Sequence, residues 1–172
     1  MKTGLSTKKG YSLVEIVIYV SILAVFFIII IDSLLSFTKS YREVISLRII
    51  ERSGLDSMER MTRDIRSATT VDLINSTLNS NPGVLSLVAT YNGFSTTTSF
   101  YLQNGVLKVN VNGIYQGPLS AVDATVTGLI FRRFSNGSSN ISSGIKIDMT
   151  IEASVGSTTK SKKYYSTVIL KG

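Results

Sequence analysis

Hydrophobic residues are crowded near the N-terminus and thinly spread over the rest of the chain. The run over residues 11–31 is apolar apart from isolated polar positions, and Glu15 is its single charged residue. A helix of this length spans roughly 30 Å, which is about the thickness of the hydrocarbon core of a bilayer. The run therefore predicts a membrane-spanning helix, preceded by a short leader over residues 1–10.

Residues 32–68 change to the pattern of an amphipathic helix. Apolar positions recur three or four residues apart, with charged residues between them. The predicted apolar stripe consists of Leu34, Phe37, Tyr41, Val44 or Ile45, Leu55, Met58, Met61 and Ile65. The stripe weakens between Arg48 and Gly54, where we expect a bend or a local irregularity of the helix.

Residues 69–172 predict an antiparallel β-sheet domain. Apolar and polar side chains alternate strictly over residues 145–151, which is typical of a strand with one buried face. Asn104-Gly105 separates two shorter alternating runs and predicts a hairpin. The other predicted features are strands over 85–89, 125–134 and 164–170, a loop over 135–144 and a charged turn over 160–163. One long helix followed by such a sheet is an α+β fold.

The composition excludes several kinds of functional site. The chain of 172 residues contains no Cys and no His. It therefore has no disulfide, thiolate metal site or Cys nucleophile, and it lacks the usual general base near neutral pH and the usual zinc ligand. The acidic residues Asp123, Asp148 and Glu152 do not have the spacing of a calcium-binding loop. We expect a protein that is not an enzyme and that needs no cofactor or metal.

The charges around the apolar run indicate how it lies in a membrane. The formal net charge is +7, and Lys2, Lys8 and Lys9 in the leader supply three of these charges, which leaves +4 for the other side chains. Positive residues tend to stay on the cytoplasmic side, so we expect the C-terminal domain to lie outside the cytoplasm. No small-residue cleavage pattern follows the apolar run, which indicates that the run is retained. Glu15 is exceptional, because an ionised carboxylate within lipid is costly unless it has a partner.

Residues 9–15, KGYSLVE, and the apolar run after them resemble the N-terminal signal of type IV pilins and type II secretion pseudopilins. The resemblance implies that a membrane-embedded prepilin peptidase cleaves between Gly10 and Tyr11 and N-methylates the new terminus. It also implies that Glu15 is an assembly residue, whose carboxylate pairs with the α-amino group of a neighbouring subunit and sets the axial stagger. Tyr11 stands where the family usually has Phe.

The resemblance extends more loosely into the second half of the predicted helix. Residues 55–68 are similar to the end of the long helix in J-type minor pseudopilins and W-type minor pilins. This implies a subunit that helps initiate or cap a type IV pilus or a type II secretion pseudopilus. The implied partners are prepilin peptidase, membrane lipid before assembly, and other pilin or pseudopilin subunits reached through their N-terminal helices. The implied location is the inner membrane and then the filament.

Two basic clusters next to aromatic residues leave an alternative function open. They contain Arg132 and Arg133, then Lys160, Lys162 and Lys163. Such clusters can bind an anionic partner such as nucleic acid, which would make the chain a DNA-binding minor pilin of a competence system. We favour the interpretation that they are solvated strand edges and turns. A membrane-anchored enzyme is a third alternative, which the missing Cys and His disfavour.

Overall fold

The computed structural model describes residues 10, 12–135 and 143–171 of the chain. Its elements are α1 (Leu13–Ser67), β1 (Thr70–Val71), β2 (Leu85–Tyr91), β3 (Phe94–Gln103), β4 (Val106–Val111), β5 (Ile114–Pro118), β6 (Ala124–Ser135), β7 (Ser143–Val155) and β8 (Thr158–Ile169). The α+β class is confirmed, with one long N-terminal helix and antiparallel sheets after it. The chain divides into two compact units, residues 1–41 and 42–172, which are described separately below.

In the first unit, α1 is a helix that no described residue of the chain covers. Every described residue from Leu13 to Tyr41 is exposed, including the large apolar side chains. The segment lacks Gly and Pro and is rich in Leu, Ile, Val and Phe, so nothing in it interrupts the helical hydrogen bonds. One 18-residue window of α1 has a mean hydropathy of 3.0, which makes the helix long and apolar enough to cross a membrane.

In the second unit, α1 is α-helical throughout, so the local irregularity expected between Arg48 and Gly54 does not interrupt the helix. The apolar stripe weakens there because small residues replace large ones on the buried face. That face is made of Ser46, Ile50, Ser53, Gly54, Ser57, Met61 and Ile65. Val44 and Leu55, which were predicted on the apolar stripe, point to solvent instead. The small residues let other elements approach the helix backbone closely.

Residues before Asp123 form a five-stranded antiparallel sheet in the order β1-β2-β3-β4-β5. The predicted hairpin at Asn104-Gly105 is confirmed as the β3–β4 connection, with positive φ angles of 52° and 75° at the two turn residues. Two further Asn-Gly pairs, Asn92-Gly93 and Asn112-Gly113, make the β2–β3 and β4–β5 turns in the same way. Asn and Gly tolerate this left-handed backbone, which matches the twist of the flanking strands.

Residues after Asp123 form a three-stranded antiparallel sheet in the order β6-β7-β8. The predicted alternation over residues 145–151 is confirmed, because the apolar positions of β7 are buried. The loop predicted over 135–144 connects β6 to β7, and its residues 136–142 lie outside the described part. The charged turn predicted over 160–163 is wrong: these residues lie within β8, and the β7–β8 turn comes earlier, at Gly156 with a φ of 61°.

Backbone hydrogen bonds join the two sheets along β6. The Val126 N–H donates to the Gly105 carbonyl at 2.8 Å, and the Gly83 N–H donates to the Leu129 carbonyl at 2.7 Å. Both sheets and α1 then share one hydrophobic core. It includes Ile50, Met61 and Ile65 of α1, Leu85, Leu87, Phe100, Leu107 and Val109 of the first sheet, and Leu129, Phe131, Ile145, Ile147, Met149 and Ile151 of the second. Full burial of such side chains contributes about 1.5–3 kcal/mol each, so this core dominates the stability of the domain.

The α1 helix packs closely on the second sheet where Gly54 lies against Tyr164 of β8. A methyl group added at Gly54 would overlap the Tyr164 ring, whose hydroxyl donates a hydrogen bond to the Ile50 carbonyl at 3.2 Å. Ser53 and Ser57 of α1 form hydrogen bonds to the segment before β6. The Ser53 hydroxyl oxygen accepts the Ala121 N–H at 3.0 Å, and the Ser57 hydroxyl donates to the Leu119 carbonyl at 3.2 Å.

We predict that Gly54→Ala lowers the free energy of unfolding by about 1–3 kcal/mol, because the methyl group overpacks the contact with Tyr164. In a Tyr164→Ala background the same change should instead raise it by about 0.5–1 kcal/mol, since Ala is the better helix former. Urea unfolding of the full chain in detergent micelles, followed by circular dichroism, measures both values. An equal effect of Gly54→Ala in the two backgrounds would show that the ring does not constrain this position.

Candidate functional site

The apolar surface of the N-terminal segment surrounds the whole helix. The large apolar side chains between Leu13 and Ile31 are each at least 50 % exposed, and they lie on every side of α1. A soluble amphipathic helix would instead confine its apolar residues to one stripe. The segment can therefore be shielded from water only by lipid or by other molecules, and the long apolar helix is consistent with membrane insertion.

Two hydroxyl side chains of this part of the helix bond to its own backbone. The Ser21 hydroxyl donates to the Val17 carbonyl at 2.8 Å, and the Thr38 hydroxyl donates to the Leu34 carbonyl at 2.9 Å. An unsatisfied polar group in lipid costs several kcal/mol, so these local bonds matter. They leave the surface of the segment compatible with an apolar environment.

Glu15 lies in the first turn of α1 and is exposed. A carboxylate is favourable at this end of a helix, because free backbone N–H groups give the helix N-terminus a partial positive charge. Within the described residues, no basic side chain forms an ion pair with Glu15. Its carboxylate is therefore accessible to a cation on another molecule.

Gly10, after which cleavage was predicted, precedes the helix and is exposed. A methyl group added there would meet no described atom within 4 Å. The other predicted residues of the processing site, Tyr11 and the leader charges Lys8 and Lys9, lie outside the described residues. The described part contains no group of three or more His, Cys, Asp or Glu residues that could hold a metal ion.

The predicted basic cluster of β8 is divided between the two faces of the strand. Lys160 and Lys162 face α1, where they form ion pairs with Glu43 and Glu51, the second at 3.0 Å. Lys163 points to the opposite face of the sheet. Because alternate residues of a strand face opposite sides, consecutive lysines cannot act together on one flat ligand. The two glutamate partners were not predicted, although their eight-residue spacing on a helix places them on one face.

The other predicted basic residues, Arg132 and Arg133, are also divided by the pleat of β6. Arg132 forms an ion pair with Asp148 of β7, and Lys146 lies 4.0 Å from the same carboxylate. Arg133 is exposed on the other face. The residues that do share a face with Arg132 and Lys163 are Lys146 and Tyr165, which were not predicted as a group. Their placement on one face depends on the register of β6, β7 and β8, which the residue pattern of a single strand does not show.

At the contact between β8 and α1, two side chains have raised pKa values. The Glu51 carboxylate accepts a hydrogen bond from Lys162 and raises the pKa of that ammonium above its usual 10.5. Burial raises the pKa of the Tyr164 hydroxyl above its usual 10.0. The folded state thus holds both protons more tightly than the unfolded state does, so it is destabilised as the pH rises above about 10.

We predict that the thermal unfolding midpoint of the full chain in micelles falls as the pH is raised from about 10 to about 12, where the unfolded chain gives up these two protons and the folded chain still holds them. The double variant Lys162→Arg/Tyr164→Phe should show a smaller fall, because guanidinium stays charged and Phe does not ionise. Circular dichroism melts across this pH range make the comparison. Lysines and tyrosines elsewhere titrate equally in both proteins, so identical curves would contradict the assignment.

Comparison of the chain with protein-family models, with curated proteins and with solved structures found no match.

Proposed function

We propose that this chain is a minor subunit of a filament of the type IV pilin kind, helping to initiate or cap a type IV pilus or a type II secretion pseudopilus. The observation that carries the proposal is the combination at the start of α1. An accessible Gly10 precedes an apolar helix that is exposed on every side, and an accessible carboxylate, Glu15, lies in its first turn.

Before assembly, lipid covers the apolar segment. The leader lysines stay in the cytoplasm and the β-sheet domain lies on the far side of the inner membrane, following the positive-inside tendency. Prepilin peptidase then cleaves after Gly10 and methylates the new terminus at Tyr11. The exposure of Gly10 supports this step.

Cleavage creates a positive charge that can pair with the Glu15 carboxylate of a neighbouring subunit. The new α-amino group at Tyr11 is a cation close to lipid, and a carboxylate within lipid is equally costly. Pairing of the two groups between neighbouring subunits offsets both costs and forms a charge-assisted hydrogen bond. Only one axial stagger of adjacent helices brings the groups together, so the pair also sets the register of the filament.

The second half of α1 offers further apolar surface to neighbouring helices. Val44, Leu47 and Leu55 are exposed and lie away from the face that packs on the sheets. Contacts with other subunits could therefore continue along the helix beyond the lipid. Assignment as a minor rather than a major subunit rests on the similarity of residues 55–68 to J-type and W-type subunits.

The DNA-binding alternative has less support from the geometry. A polyanion needs several cations on one face, yet Lys160 and Lys162 are paired with glutamates of α1 and Arg132 is paired with Asp148. The group that remains on the outer face of the three-stranded sheet includes Lys146 and Lys163, with Tyr165 beside them. These few charges make nucleic acid a less favoured partner.

We predict that co-expression with a prepilin peptidase yields a membrane protein that begins at Tyr11 and carries one extra methyl group. Intact-mass spectrometry of the extracted protein measures both changes. Gly10→Leu should leave the leader attached while the protein still reaches the membrane, because the apolar helix is unchanged. A wild-type chain that keeps Met1 in the presence of active peptidase would contradict the proposal.

We predict that Glu15→Gln leaves processing intact but lowers recovery in sheared filaments at least tenfold, the effect of losing about 1.4 kcal/mol per contact. Asp32→Asn is the matched control, since Asp32 is the acidic residue at the other end of the apolar segment. Quantitative immunoblots of the filament and membrane fractions separate assembly from insertion. Normal incorporation of Glu15→Gln would remove the assembly role of this carboxylate.

A further inference from the structure

Charge is distributed very unevenly along the chain. The 50 residues from Leu73 to Val122 contain one charged side chain, Lys108, whereas the other 122 residues contain the remaining 28 of the 29 charged side chains. The neutral stretch is rich in Ser, Thr and Asn and forms strands β2 to β5. One sheet of the domain is therefore almost uncharged, and its polar groups are hydroxyls and amides.

This neutral sheet carries an exposed strip with apolar side chains at both ends. At one end Tyr91 and Phe94 form a cross-strand pair at the tip of the β2–β3 hairpin, 79 % and 80 % exposed. At the other end Val111 pairs with Ile114, which is 67 % exposed. Directly opposed residues of antiparallel strands share a face, so the register places all four on the face that holds the core.

The two ends lie about 14 Å apart along β3, because four residue steps of about 3.4 Å lead from Phe94 to Thr98, the β3 partner of Val111. Thr96 lies between the two ends on the same face of β3. We name this surface, made of Tyr91, Phe94, Thr96, Val111 and Ile114, the neutral strip. It has the length of a short oligosaccharide.

Hydrogen bonds hold the neutral strip in place without a ligand. The Asn112 N–H donates to the Thr97 carbonyl at 2.7 Å, and the Asn112 side-chain oxygen accepts the Thr97 N–H at 2.8 Å. The β4–β5 turn is thereby fixed against the middle of β3. A surface that is already ordered loses little conformational entropy when it binds a ligand.

The charge of the sheet argues against an anionic ligand. Its single cation, Lys108, lies on the opposite face from the neutral strip. The Lys108 ammonium also donates to the Gln103 side-chain oxygen at 2.9 Å and lies 5.3 Å from the centre of the Tyr115 ring. No cation of the neutral sheet is therefore available to pair with a phosphate or a carboxylate.

The size of the neutral strip argues against a stable protein partner. Its two aromatic side chains and Ile114 expose on the order of 400 Å² of apolar surface, whereas a standard interface covers about 800 Å² on each partner. Protein interfaces are also enriched in Arg and gain specificity from charge, and the neutral strip has no charge. A ligand with apolar faces, many hydroxyl groups and no charge fits these properties.

We propose that the neutral strip binds a neutral linear oligosaccharide. The Tyr91 and Phe94 rings stack on the C–H faces of the sugar rings at one end, and Ile114 contacts a sugar ring at the other. Thr96 and the Asn side chains of the two turns are placed near the sugar hydroxyls. This function is independent of processing and filament assembly, so its failure would leave those proposals untouched.

The test uses the full chain in a zwitterionic detergent, because detergents with sugar headgroups would compete for the site. Maltohexaose, cellohexaose and chitohexaose are titrated in turn, with a heparin hexasaccharide as the charged comparison, and binding is followed by saturation-transfer NMR and calorimetry. At least one neutral hexasaccharide should bind, and the heparin fragment should not. Phe94→Ala and Tyr91→Ala should each weaken binding about tenfold.

The matched control is Tyr165→Ala, which removes an aromatic ring of similar exposure, 63 %, from the other sheet. It should bind like the wild type, and thermal unfolding should be similar in all variants. The proposal is overturned if no neutral hexasaccharide binds at millimolar concentration, or if Phe94→Ala binds as well as the wild type. It is also overturned if Phe94→Ala abolishes self-association, measured by light scattering, while no sugar binds.

Discussion

A single uninterrupted helix has to be shielded in two different ways. Over Leu13–Ile31 the apolar side chains surround α1, so no one-sided contact with a sheet could bury them. Beyond Arg42 the same helix buries one narrow face against the β-sheets and turns its other face to solvent. Burial of the apolar segment requires lipid or other helices, whereas burial of the narrow face requires a folded domain. The division of the chain into an apolar segment and a β-sheet domain follows from this constraint.

Small residues make the second kind of burial possible. Gly54 accepts the Tyr164 ring directly against the helix, and Ser53 and Ser57 bond to the segment before β6. Larger side chains at these positions would push the sheets away from Ile50 and Met61, which lie on the same face and are fully buried. The ion pairs of β8 with α1 lie at the border of this contact. They orient the strand, whereas the apolar core provides most of the free energy.

The two sheets share one core but differ strongly in their number of charged side chains. The three-stranded sheet and α1 carry pairs of opposite charge that satisfy one another, as Arg132 and Asp148 do. The five-stranded sheet carries almost none and offers aromatic rings and hydroxyl groups instead. The domain therefore presents two chemically different surfaces, of which one is almost uncharged and the other carries ion pairs and further cations.

The amino-acid sequence by itself determined the features that depend on neighbours along the chain. These are the apolar helix, the α+β class, the alternation in β7 and the hairpin at Asn104-Gly105, because helical and strand periods and turn preferences are local. Tertiary structure decided the rest. It made Gly54 a contact site for the Tyr164 ring within a continuous helix, and it placed the lysines of residues 160–163 within β8, divided between its two faces. It also brought Tyr91 and Ile114 onto one face, since strand register depends on residues far apart in the chain.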